Sequence, residues 1–269
     1  MEIFKVVKKY SKFLCELIFI MIFCILGYIY YSEIYPNYIY KRMILSIFLV
    51  ILLMNFIYKF KEEKDDIFIN KKALLVFAII YSINILMNLN TNILRKVMMH
   101  WSLGKVLIFQ LIIGLIPIFI GYSFKIKLSN FKWRISVKWL LISTSIFIIY
   151  FLPKIILLGS EAFQYRNYYS KPDYIINIIN ALIFNVFIEE LVYRGYLISG
   201  LKALKLNEFI ISAIQAIIFG LIHIYQVPNT HIFMGVSWHI LIGYILGKLY
   251  FKSKSLTPGI LLHLLINMV

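Results

Sequence analysis

Long runs of apolar residues separated by short polar segments dominate the sequence. Each of the longer runs approaches the roughly 20 apolar residues that a helix needs to cross a bilayer. The pattern therefore predicts an all-α, polytopic transmembrane helix bundle of about eight spans plus a short C-terminal helix. The predicted spans are approximately 13–33, 43–60, 73–90, 105–124, 137–158, 174–200, 208–226 and 231–251, and the short helix covers 257–269.

Composition supports a membrane protein. Hydrophobic residues make up 62% of the chain and charged residues only 15%, whereas soluble domains are about 45–50% apolar. This excludes an ordinary soluble enzyme and a disordered chain. Four lysines precede the first apolar run, which is too long for the core of a signal peptide and is expected to be retained. Residues 1–173 are expected to form N-terminal spans and 174–269 a C-terminal core, which the resemblance described below implies is catalytic, together one integral membrane domain.

The net charge of +16 does not indicate a nucleic-acid partner, because the basic residues lie between apolar runs. With the N-terminus inside, the inner segments hold 19 basic residues and the outer loops hold 8. This bias predicts a cytoplasmic N-terminus, with the 59–72 and 125–138 loops on the same side. In the first run, Cys15 and Cys24 are expected to be small buried hydrophobes, and Glu16 is expected to extend toward the interface.

Three charged residues interrupt the sixth predicted span: Glu189, Glu190 and Arg194. Near a bilayer midplane they cost about 9 kcal/mol, which the apolar neighbours offset by only about 5 kcal/mol. The charges must therefore face protein or a wet cavity, which makes them functional candidates. Glu190 and Arg194 are spaced i,i+4 and are expected to pair. Glu189 is rotated about 100° around the helix and needs another partner.

Two later helices carry further polar side chains on single faces. Gln215, Phe219 and His223 are spaced by four residues in the seventh span, and His263 and Asn267 by four in the last helix. A buried ion cluster and hydrogen-bonded packing histidines are the alternatives to a catalytic site. His100, His231 and His239 are weaker candidates, for which interfacial or packing roles suffice.

Together these residues resemble the CaaX protease and bacteriocin-processing (CPBP) family, also called Abi or type II CaaX prenyl proteases. The family pattern appears as Glu189-Glu190-x-x-x-Arg194, Phe219-x-x-x-His223, a glycine-containing helix with Gly243 and Gly247, and His263-x-x-x-Asn267. The resemblance covers about 174–269. One departure is His239, where an aromatic residue is expected four positions before Gly243.

The resemblance implies an intramembrane endopeptidase, in a family widely labelled metalloprotease but for which a metal-free mechanism is also argued. In the metal-free scheme, Glu189 and His223 activate water while His263 and Asn267 bind the oxyanion. Glu190, Arg194 and Phe219 are expected to support them, and all four catalytic side chains are expected to converge around one wet cavity.

No cofactor is favoured, and two alternatives stay open. One is a zinc-dependent version of the protease, with zinc bound by Glu189, His223 and His263, whose nitrogen and oxygen atoms suit zinc. The other is a non-enzymatic immunity or scaffold protein. The expected partners are the lipid bilayer and a membrane-associated peptide or protein, and the sequence leaves open whether that substrate is prenylated.

Overall fold

The computed structural model describes residues 11, 13–26, 48–49, 51–90, 103–158, 185–225 and 232–268. Within these ranges the structure is helical and contains no strand, which confirms the predicted all-α class. The predicted domain boundary near residue 174, parts of several predicted spans, and His100 and His231 lie outside the described residues.

The helices of the described ranges fall within or close to the predicted apolar runs, because continuous apolar sequence buries well in a helical bundle. In chain order they are α1 (Phe13–Leu26), α2 (51–59), α3 (Lys72–Leu89), α4 (Leu103–Ser123), α5 (Val137–Leu158), α6 (185–203), α7 (Glu208–Ile222), α8 (Ile232–Ser253) and α9 (Thr257–Asn267).

Two of these helical stretches are long and apolar enough to cross a membrane, namely Lys72–Leu89 and Glu208–Tyr225. Four shorter apolar stretches accompany them in the described residues: Phe13–Leu26, Ile108–Ser123, Val137–Pro153 and Thr257–Asn267. The bundle of about eight spans is therefore not confirmed.

Two apolar cores hold the described helices together. One core joins α3 to α6 and includes Phe77, Tyr196 and Leu197. The other joins α1, α2, α5 and α8, and includes Met54 and Leu246. Helices α7 and α8 form the most extensive helix–helix contact. Helix α9 packs against α5 and α8, and it also contacts the part of α6 where the two glutamates lie.

The start of α9 is marked by a proline and a serine. Pro258 occupies the first turn, and Thr257 provides no side-chain cap for the helix. Instead, the Ser255 hydroxyl accepts a hydrogen bond of 3.4 Å from the Thr257 backbone N–H. A serine oxygen just before the helix thus satisfies one of its free N–H groups.

The segment between α2 and α3 is tied to the start of α5 through Glu63. Its carboxylate accepts hydrogen bonds from Lys138 Nζ at 2.7 Å and from Trp139 Nε1 at 2.8 Å. The Lys138 bond, followed by the Trp139 bond, lowers the pKa of Glu63 below its ordinary value. This stabilising contact is therefore present above the ordinary glutamate pKa and weakens as the pH falls below it.

Glu16 is a buried ion-pair partner rather than a side chain that extends to the interface. Its side chain is fully buried, and its Oε1 accepts a 3.0 Å hydrogen bond from Lys248 Nζ of α8. The Tyr58 hydroxyl of α2 donates to the other carboxylate oxygen. The sequence expectation was wrong because a partner 232 residues away neutralises the charge. Of the two cysteines of α1, Cys24 is buried as expected, whereas the expectation of a buried Cys15 was wrong because Cys15 is exposed.

Removing either charge of the Glu16–Lys248 pair is expected to destabilise the fold. Glu16→Gln and Lys248→Met should each lower the thermal unfolding temperature, because loss of one partner leaves a buried charge at a cost of about 3–5 kcal/mol. The double variant leaves no unpaired charge and should recover part of that loss. Melts of the four proteins in detergent provide the measurement. Additive losses in the double variant would contradict the pairing.

Candidate active site

The site begins with an irregular turn in α6. Residues Leu191–Leu197 form a π-helical segment in which every side chain is buried. A π-helical turn changes the direction of the side chains that follow it, and such turns occur frequently at functional sites. The 3.6-residue periodicity assumed from the sequence did not predict this segment, which places Arg194 in the interior.

The ion pair between Glu190 and Arg194, predicted from their spacing, is present and buried. Arg194 Nη1 donates to Glu190 Oε1 at 3.0 Å, and the two side chains are 0% and 1% exposed. The second guanidinium nitrogen of Arg194, Nη2, donates to the Gly243 carbonyl at 3.2 Å. The guanidinium carbon lies 4.6 Å from the ring centroid of Phe219, a cation–π distance. Arg194 therefore links α6, α7 and α8.

His263 of α9 lies between the two neighbouring glutamates. Its Nδ1 donates a 2.9 Å hydrogen bond to Glu190 Oε1, and its Nε2 is 3.7 Å from Glu189 Oε2. Gly259 permits this approach, because a Cβ there would lie 2.8 Å from Glu190 Oε2. Glu190 thus orients His263 in addition to pairing with Arg194, a role that sequence spacing within α6 did not indicate.

His223 lies at the end of α7 and packs against Phe219. Its Nδ1 donates to the Phe219 carbonyl at 2.7 Å, which leaves Nε2 as the acceptor nitrogen of a neutral ring. The Phe219 ring centroid is 4.9 Å from that of His223 and 5.8 Å from that of His263. Phe219 therefore separates the two motif histidines and contacts both.

Sequence reasoning assigned only a weak role to His239, yet it contacts the site directly. Its ring stacks on His223 with a centroid separation of 3.8 Å and an interplanar angle of 15°. Its Nδ1 donates to the Gly235 carbonyl at 2.7 Å. The sequence did contain one indication of this contact, namely that His239 stands where the family pattern has an aromatic residue. An imidazole ring occupies the aromatic position and provides the stacking surface.

A cavity of about 350 Å³ opens beside Glu189, between α3, α4 and α6. Asn185, Glu189 and Tyr193 line it along one face of α6, and Gln110 lines it from α4. Glu189 is 28% exposed, whereas Glu190 is almost fully buried. The two adjacent carboxylates therefore have different environments, and Glu189 is the one that a bound molecule can reach.

The predicted convergence of four side chains around one cavity is only partly observed. Glu189 lines the cavity, but His223, His263 and Asn267 are not among its lining residues. His223 and His263 are buried around Phe219, whereas Asn267 is exposed at the last turn of α9. His263 Nε2 lies 3.7 Å from Glu189 Oε2, so these two side chains do converge, and a cavity shared by all four residues stays a prediction.

The zinc alternative requires at least three suitable side chains close together. Among the residues that the structure describes, no group of three His, Cys, Asp or Glu side chains could hold a metal ion. His263 Nδ1 is bonded to a carboxylate and His223 Nδ1 to a backbone carbonyl, which leaves Nε2 of each ring as the nitrogen that a metal would bind. The zinc-dependent version therefore stays an alternative to the metal-free mechanism.

Comparison with known families identifies the C-terminal region. Residues 171–269 match the family model described as type II CAAX prenyl endopeptidase Rce1-like, which confirms the resemblance expected from the four motifs. The match covers less than half of the chain and leaves α1–α5 outside it. No curated protein and no solved structure matches the chain.

Proposed function

We propose that this protein is an intramembrane endopeptidase of the CaaX-processing type, which hydrolyses a membrane-associated peptide or protein. One observation carries the proposal: Glu189 faces a cavity while its carboxylate oxygen lies 3.7 Å from His263 Nε2. The Rce1-like match is a match to a protease family and includes both residues. A carboxylate and an imidazole at this separation provide a base and a second polar group for the same reacting molecule.

The proposed reaction uses Glu189 as the general base. The separation of 3.7 Å exceeds a direct hydrogen bond but allows one water molecule to bond to both Glu189 and His263. Glu189 accepts a proton from that water, and the hydroxide oxygen forms a bond to the carbonyl carbon of the substrate. Breakdown of the tetrahedral intermediate breaks the C–N bond, and the leaving nitrogen takes the proton that Glu189 holds.

The other motif residues are assigned supporting steps. His223 is proposed to assist water activation through its Nε2, while Asn267 donates a hydrogen bond to the oxyanion as charge develops. His263 is proposed to donate from Nε2 in its doubly protonated form, since its Nδ1–H is bonded to Glu190. Glu190 is proposed to orient His263 through the Nδ1 bond, and Arg194 neutralises Glu190. In this scheme Glu190 and Arg194 are positioning residues, since neither needs to touch the substrate.

A direct test compares the small peptides and truncated proteins of membranes that contain wild-type protein with those that contain Glu189→Ala. Cleavage by Glu189 chemistry should produce peptides that are present only with the wild type. Glu208→Ala, which removes a carboxylate of α7 outside the cavity, is the matched control and should retain cleavage. Identical peptide profiles for wild type and Glu189→Ala at equal protein levels would favour the immunity or scaffold alternative.

The proposed chemistry needs no tightly bound metal. Purified protein treated with a chelator should therefore retain cleavage of the substrate found by that comparison. The matching measurement is metal content by mass spectrometry before and after treatment. Stoichiometric zinc whose removal abolishes cleavage, and whose return restores it, would replace this proposal with the zinc-dependent mechanism.

The proposal places the protein in the membrane with a cytoplasmic N-terminus. The family match and the two membrane-competent helices support a membrane location, and the bias of basic residues supports the orientation. Single cysteines can be placed in the 59–72 loop of a variant that lacks Cys15 and Cys24. Their labelling would show on which side of the membrane this loop lies. If an impermeant reagent added outside intact cells labels that loop, the predicted orientation is wrong.

A further inference from the structure

Two of the helices that line the cavity beside Glu189, α3 and α4, lie outside the family match. The cavity of about 350 Å³ is formed mainly by α3, α4 and α6, with Ile222 of α7 also lining it, and only α6 and α7 belong to residues 171–269. Its volume falls within the range of about 300–1,000 Å³ typical of ligand pockets. Helices α3 and α4 therefore help to determine which molecules can reach Glu189 through this cavity.

Two polar atoms on residues that line this cavity have no hydrogen-bond partner among the described residues. They are Gln110 Oε1 on α4 and the Tyr193 hydroxyl on α6, and both are shielded from solvent. Leaving a buried polar group unpaired is unfavourable. A bound molecule that offers one donor and one acceptor would satisfy both atoms, since a carbonyl oxygen accepts and a hydroxyl donates.

We infer that this cavity binds an apolar peptide segment in an extended conformation, with Gln110 and Tyr193 hydrogen-bonded to its backbone. This inference rests on the proposed function, because it places the peptide beside Glu189. Each peptide unit carries one N–H donor and one C=O acceptor. Ile80, Ile113 and Val192 in the walls suit apolar side chains.

The same contacts indicate why the segment is extended and why it is a peptide. In an α-helix the N–H and C=O groups are already bonded to each other, so a helical segment would leave Gln110 and Tyr193 unpaired. A lipid acyl chain fills apolar volume but has neither a donor nor an acceptor. Recognition through the backbone also predicts tolerance of different apolar sequences at this site.

The binding experiment uses full-length Glu189→Gln protein in lipid nanodiscs, so that bound peptide is not cleaved. The probe is a pool of acetylated, amidated decapeptides randomised over Ala, Val, Leu, Ile and Phe. Mass spectrometry of retained peptide measures binding. We expect retention to fall about threefold to tenfold in Gln110→Met and in Tyr193→Phe, as expected for loss of one hydrogen bond each.

Two controls separate a backbone contact from a change in the fold. Ile112→Leu alters an exposed residue of α4 that does not line the cavity, and it should retain the pool fully. A pool with alternate residues N-methylated lacks half of the backbone donors and should be retained weakly by the parent protein. Thermal melts identify any variant that fails to fold, and Gln110→Met and Tyr193→Phe provide independent readouts.

Three results would overturn the inference: no retention of the pool, equal retention by Gln110→Met, Tyr193→Phe and parent, or equal retention of the N-methylated pool. Palmitate binding in place of peptide would assign the cavity to lipid instead. The outcome is separable from the proposed function. Retention that depends on Gln110 without any cleavage by wild type would reject the protease alone, and cleavage without such retention would reject this inference alone.

Discussion

Replacement of Glu189 by glutamine is expected to abolish cleavage while leaving the fold close to wild type. The substitution keeps the size of the side chain but removes the base, and general-base catalysis typically contributes about 10²–10⁴-fold. We therefore expect cleavage to fall at least about 100-fold. The unfolding temperature should change little, since Glu189 is partly exposed and its carboxylate lies 3.7 Å from His263 Nε2, too far for a direct hydrogen bond.

The measurement combines a cleavage assay and a thermal melt on the same detergent preparation. Glu208→Gln is a matched control, because it makes the same substitution at a carboxylate of α7 that does not line the cavity. It should remain active within a fewfold of wild type. Full activity of Glu189→Gln would remove Glu189 from the mechanism, and unfolding of Glu189→Gln would show that its role is structural.

The sequence predicted the helices well because hydropathy is a local property. The nine helices of the described residues lie in or near the nine apolar runs, and the Glu190–Arg194 pair follows from helical spacing alone. The cost of inserting charges into a bilayer also predicted that the charged residues of α6 face protein, and Glu190 and Arg194 are buried as predicted. These inferences need only residues that are close together along the chain.

Contacts between distant residues could not be predicted in the same way. Glu16 pairs with Lys248 across 232 residues, and His263 bonds to Glu190 across 73 residues. Insertion cost shows that a buried charge needs a partner but does not identify the partner. The π-helical turn at Leu191–Leu197 breaks the assumed periodicity, and the cavity depends on α3 and α4, whose sequences carry no motif.

Loss of either member of the Glu190–Arg194 pair is expected to destabilise the protein strongly. In Glu190→Gln, the Arg194 guanidinium, which is 0% exposed, loses the carboxylate that it pairs with. Arg194→Met leaves the Glu190 carboxylate without its cation. Breaking a buried pair in this way typically costs about 3–5 kcal/mol, because the remaining charge stays buried. Each variant should therefore give less folded protein and a lower unfolding temperature.

The two single variants should differ in activity once they are folded. Arg194→Met retains the carboxylate that accepts the hydrogen bond of His263, so its folded fraction should keep part of the activity. Glu190→Gln replaces that carboxylate with an amide that binds the imidazole more weakly, so activity per folded molecule should fall further. The double variant Glu190→Gln/Arg194→Met contains no unpaired charge and should regain stability without regaining activity.

Activity is therefore normalised to folded protein, measured by size-exclusion chromatography of each variant at a temperature below its melt. Lys202→Met, which removes a partly exposed lysine 3.9 Å from Glu208, is the control. A surface pair of this kind contributes at most about 1 kcal/mol. If Glu190→Gln matches that control in stability but is inactive, Glu190 is the chemical residue and the roles of the two glutamates are reversed. If both single variants lose activity only in proportion to folded protein, the pair is structural and the orientation of His263 does not depend on it.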